Sequence, residues 1–146
     1  MGLPVKLADM APRLATGAYI LQSGLGKREA DEVTAKSLHG MATTAYPFLG
    51  KVDPQTFVRL LAAGEITLGA TLLAPVVPTA LAGVALTAFA GGLLGLYLRV
   101  PGMRKEGSLA PTHQGIGLAK DVWMLGIGVG FVVDAVARRR AGARSR

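Results

Sequence analysis

Charged and apolar positions along this chain fall into blocks. From Ile66 to Leu98 the only ionisable side chain is Tyr97. A membrane-spanning helix needs only ~20 apolar residues, so the interval is longer than one span and too long for a single helix in a small soluble core. The pattern predicts an all-α integral membrane protein: a four-helix bundle with an interfacial segment in its first loop. One membrane domain is expected, with spans over residues 11–26, 57–77, 78–98 and 116–136 and a basic tail over 137–146. The first span is the shortest. It covers ~24 Å at ~1.5 Å per residue against a hydrocarbon core of ~30 Å, so Arg13, Lys27 and Arg28 would snorkel to complete the crossing.

The connections carry their own signals. Between residues 27 and 56, Val33, Leu38 and Met41 predict an interfacial helix that ends before Pro47, because a residue preceding proline avoids the α region. Tyr46, Phe48 and Phe57 follow as an aromatic cluster suited to the headgroup layer. Ala-Pro-Val-Val-Pro at 74–78 predicts a tight hairpin between the second and third spans. The polar stretch at 100–115, with two prolines and three glycines, reads as a loop.

Composition narrows the chemistry. The chain has 146 residues, 16 Lys+Arg against 9 Asp+Glu, a net charge of +7 and a mean hydropathy of +0.42. On so apolar a chain the basic excess points to anionic lipid headgroups, not to nucleic acid. With no cysteine, disulfides, thiolate nucleophiles, iron–sulfur clusters and Cys-bound zinc are excluded. His39 and His113 read as solvated loop residues, and no metal site is expected. Asp9 and Arg13 interrupt the apolar run a signal peptide requires, so no cleavage is expected. The expected location is the cell (inner or plasma) membrane. Both termini fall on one side, which the arginine-rich tail assigns to the cytoplasm.

Three groups of residues stand out as candidate sites. A charge at the centre of a spanning helix costs ~2.5–3.5 kcal/mol on insertion scales, so such groups face the bundle and find partners. Lys27, Glu65, Lys120 and Asp121 are expected to share one buried polar layer in the outer half of the bundle. There the Glu65 carboxyl would stay neutral in lipid and donate a hydrogen bond. Arg13 and Asp134 are expected to form an inner ion pair joining the first helix to the last. Gly91/Gly95 and Gly126/Gly130, four apart, are expected to let helices approach closely, and Arg138, Arg139 and Arg140 to lie on the lipid surface. No catalytic motif is present.

Three segments carry a family resemblance. R-L-A-T-G-A-Y-I-L-Q-S-G-L-G-K at 13–27 resembles the first helix of DoxX-like membrane proteins. A-G-E-I-T-L-G-A-T-L-L at 63–73 is similar to their second helix, and A-K-D-V-W-M-L-G at 119–126 to the opening of their last. The resemblance implies a four-helix membrane protein. It also implies kinship with membrane subunits of thiosulfate:quinone oxidoreductase and with partners of soluble redox or sulfur-handling enzymes, although this chain brings no cysteine to such chemistry. The expected role is a small non-catalytic subunit, without a cofactor, that stabilises or regulates a larger membrane complex for transport or respiration. A quinone-linked oxidoreductase subunit is the alternative, with quinone at the Glu65 layer, and a small transporter the third reading.

Overall fold

The computed structural model describes residues 5–144 and is helical throughout. Its helices are α1 (Leu7–Lys27), α2 (Glu32–Ala45), α3 (Pro54–Leu73), α4 (Thr79–Arg99), a single turn α5 (Ile116–Ala119) and α6 (Val122–Arg144). A short 3-10 turn, Pro47–Lys51, joins α2 to α3. Five helices thus exceed one turn among the described residues, against the four expected, because the segment after Lys27 forms a full helix of 14 residues.

Local chemistry sets the boundaries. Asp31 caps α2 by accepting from the Thr34 amide at 2.8 Å, and Asp53 caps α3 by accepting from the Thr56 amide at 3.0 Å. These side chains satisfy amides that a first turn leaves open. Pro54 then occupies the first turn of α3, where its missing N–H costs nothing. As expected, α2 stops ahead of Pro47, and Pro75 and Pro78 confine the α3–α4 connection to residues 74–78.

Three helical segments are long and apolar enough to cross a membrane: Pro54–Leu73, Thr79–Arg99 and Ile116–Arg144. Residues 11–26 lie in α1, which is 21 residues long but carries Asp9, Arg13 and Lys27. The last segment differs from the expected unbroken span. Its helix is interrupted at Lys120–Asp121, where the Asp121 amide bonds to Leu118 O at 3.1 Å, one residue tighter than an α-helical bond. The tail is not a loose extension, for α6 continues through Arg138, Arg139 and Arg140 to Arg144.

The helices associate as two close pairs, α1 along α3 and α4 along α6, which touch each other far less than their own partners. Glycines make both pairings possible. A side chain at Gly24 would meet Ile66 N and Glu65 Cβ at 2.9 Å, and one at Gly69 would meet Leu21 N at 2.7 Å. Between α4 and α6, a side chain at Gly83 would meet Phe131 Cβ at 2.7 Å and one at Gly128 would meet Thr87 N at 2.8 Å. The absence of side chains there lets the backbones come into van der Waals contact, the main attraction left once lipid removes the hydrophobic term.

This corrects the expected packing glycines. Gly91, Gly126 and Gly130 have nothing within 4 Å where a Cβ would stand. They lie on outward faces, because the buried faces are set by larger neighbours: Leu86 and Ala90 on α4, Met124 and Phe131 on α6. Gly95 is close-packed, but against the Tyr46 hydroxyl and not a spanning helix.

The two pairs meet at one end only. Ile20, Leu68, Leu72, Ala82, Leu86, Ala90, Met124 and Phe131 form the shared core. Beyond it, towards α2 and the 100–115 loop, the pairs part. That loop is ordered: Gly102 and Gly107 take positive φ (85° and 66°), a conformation open to glycine at little cost. Tyr97 Oη ties it down by donating to Leu109 O at 2.6 Å.

Candidate functional site

Where the pairs part, a partly open cavity of about 570 Å³ remains. Its walls come from the second half of α1, the first half of α3, the second half of α4 and the start of α6, with α2 and Met103 of the loop closing over it. Most of the lining is apolar. The charged groups on it are Lys27, Glu65 and Asp121, three of the four residues expected to form a polar layer.

Lys27 and Glu65 are a close pair. Lys27 Nζ donates to Glu65 Oε1 at 3.1 Å and Oε2 at 3.0 Å, and to Ser23 Oγ at 2.6 Å. The Glu65 side chain is only 5% exposed. Glu65 thus meets Lys27 within the expected layer, as an ion pair and not as the neutral hydrogen-bond donor expected. Such a pair adds little net stability, but removing one member strands the other and costs ~3–5 kcal/mol. Glu65 sits where α1 and α3 approach closely at Gly24, so its position is fixed by a contact that joins the helices.

Asp121 reaches the cavity from the break between α5 and α6, and stands near enough to Glu65 for the two carboxylates to repel. Its side chain makes no hydrogen bond or ion pair among the described residues. Lys120 does not join the layer; it is exposed on the other side of the same break. Two adjacent residues at a helix interruption cannot both point inward.

The expected Arg13–Asp134 pair is not formed. Arg13 is fully buried, and its guanidinium turns to backbone instead. Nε donates to Leu72 O at 2.8 Å and Nη2 to Thr71 O at 2.9 Å and Ala74 O at 2.8 Å. Nη1 donates to Val77 O at 3.1 Å and Thr79 Oγ1 at 3.3 Å. Arg13 thus caps the C-terminus of α3 and clamps the turn into α4, using carbonyls that a helix end leaves open. Asp134 pairs with Lys6 at 3.2 Å and with Arg138 at 2.7 Å. The first contact brings the start of α1 to the middle of α6. Arg139 and Arg140 are exposed beside Arg138.

Several residues at the site carried no clear sequence signal. Ser23 completes the donor set of Lys27. Tyr46 fastens α2 over the cavity: its hydroxyl donates to Gly92 O at 2.7 Å, and the Arg99 guanidinium lies 5.3 Å from its ring centroid. His39 is part of α2, not a solvated loop residue. Its Nε2 is 2.9 Å from Leu49 O, and its ring tilts against Phe57 at 5.4 Å. His113 is exposed in the loop. Among the described residues no three His, Cys, Asp or Glu side chains converge on a position for a metal ion. No protein-family model, curated protein or solved structure matches this chain.

Proposed function

We propose that this chain is a small multi-pass protein of the cell membrane that holds a membrane-soluble molecule and serves, without catalysis of its own, as a subunit of a larger membrane assembly. The cavity carries this reading. At about 570 Å³ it falls within the ~300–1,000 Å³ range of small-molecule sites, and its apolar walls with a few polar groups match their usual lining. With α1 as a fourth span, the bundle would have the four-helix arrangement that the resemblance to DoxX-like proteins implies. Two of the charges of α1 are compatible with that crossing, since Arg13 is spent on carbonyls and Lys27 on Glu65. Termini on the cytoplasmic side remain the better orientation, with Arg138, Arg139, Arg140 and Arg144 placed to meet anionic headgroups.

The quinone-linked alternative shares this cavity. A quinone carbonyl requires a donor; all three N–H groups of Lys27 are committed to Ser23 and Glu65, while Gln114 and Tyr19 on the same lining carry donors of their own. The redox reading ranks below the non-catalytic one because the chain brings no cysteine to such chemistry. Affinity capture of the full chain from native membranes in mild detergent tests the subunit role. A membrane complex recovered in stoichiometric amount is the expected result, and recovery of the chain alone would refute it.

A further inference from the structure

We propose that the cavity takes an amphipathic cation: an ammonium or similar onium centre carried on apolar groups, held by Asp121 within a cavity that also presents aromatic side chains. The proposal rests on the cavity being a ligand site and names the chemistry it selects. Two carboxylates and one ammonium line the cavity, which leaves one negative charge in surplus. Lys27 and Glu65 answer one another through two hydrogen bonds, and Ser23 takes the third N–H of the lysine. That corner of the wall is closed to an incoming anion or acceptor.

Asp121 is left over. Its carboxylate faces the cavity with no donor from the protein, next to a second carboxylate whose partner is already taken. A cation placed beside Asp121 relieves the repulsion and completes the charge balance. The break between α5 and α6 puts this carboxylate just before the start of α6. Tyr19 and Phe89 add aromatic rings to the lining, and aromatic faces attract onium centres. Much of the remaining wall, including Ile20, Leu93 and Met124, suits apolar substituents. An onium centre reaches such a site either as a free lipophilic cation or as the amine headgroup of a lipid; the recognition chemistry is the same.

Two probes of one size and shape and opposite charge provide the test. The full chain in a maltoside detergent, free of onium lipids, is titrated with tetraphenylphosphonium and with tetraphenylborate, and bound probe is measured by equilibrium dialysis. Saturable binding of the phosphonium alone is expected, weakened at least ~10-fold by Asp121→Asn, equivalent to ~1.4 kcal/mol. Lys120→Gln, a neighbouring exposed charge, should leave it unchanged. If Asp121→Asn fails to fold, Leu93→Trp, which fills the cavity and keeps its charges, must abolish binding. Adding phosphatidylethanolamine separates the sources. Competition assigns the site to a lipid amine and lack of competition to a free cation, and either supports the proposal. Equal binding of the borate, or phosphonium binding indifferent to both variants, would overturn the cation assignment and leave the cavity reading standing. Failure of both probes to bind would overturn both.

Discussion

At Arg13 five hydrogen bonds reach four backbone carbonyls and one hydroxyl, all within the last turn of α3 and the turn that follows it. The planar fork of a guanidinium suits this task, and a lysine ammonium offers only three donors from one point. Arg13→Lys is therefore expected to destabilise the protein although it keeps the charge. Arg13→Leu should cost on the order of 3–5 kcal/mol, as does breaking a buried charged network. Thermal unfolding of the detergent-solubilised variants measures this, and an Arg13→Lys protein that melts with the parent would refute the capping role. The sequence marked Arg13 as a buried charge in need of a partner but named the wrong one. Asp134 is visible as a countercharge in the residue string, whereas the open carbonyls of a helix end arise only once α3 stops at Leu73. Lys27 and Glu65 were legible because both partners are side chains lying at matching depths on antiparallel helices.

At the scale of elements, the helices were legible from apolar runs and proline breaks, while their facing was not. Gly126 and Gly130 share one face of α6, and Gly128 lies roughly 200° away from each at ~100° per residue. The spacing of four picked out the outer face. Gly128 is the one that approaches α4, on the stripe that also buries Met124 and Phe131. Gly128→Val should therefore cost ~1–3 kcal/mol through forced separation of the helices, whereas Gly126→Val and Gly130→Val should leave accumulation in the membrane unchanged. Equal loss in all three would contradict the assignment. The starts of α2 and α3 have a pH dependence of their own. Hydrogen bonds from the Thr34 side chain and amide hold the Asp31 carboxyl below its ordinary value, and Thr56 does the same for Asp53. A carboxyl depressed in the folded state stabilises fully above its unfolded value of ~4 and loses that contribution as the pH falls through the lower folded value. Amide protection factors, exchange rates taken relative to the intrinsic rate at each pH, should fall in the first turns of α2 and α3 below about pH 4 in the parent, and should lack that acid step in an Asp31→Asn, Asp53→Asn double variant. An identical acid step in both proteins would exclude the caps as its source.

For the molecule as a whole, two tightly interlocked helix pairs meet at one end and stand apart at the other. The resulting cavity follows from packing between segments distant in the chain, so no local pattern announced it. Its charged residues were nonetheless in view, because a buried charge on an apolar helix is conspicuous; only Lys120 was misplaced, by a helix break that the apolar run conceals. The central claim is that this space is filled by a membrane-soluble molecule. Native mass spectrometry of the full chain, released from its own membranes in neutral detergent, tests it against Leu93→Trp. The parent is predicted to carry a co-purified amphipathic molecule in stoichiometric amount, and the variant to carry none while melting no lower than the parent. A bare parent chain, or the same load on both proteins, would contradict the account.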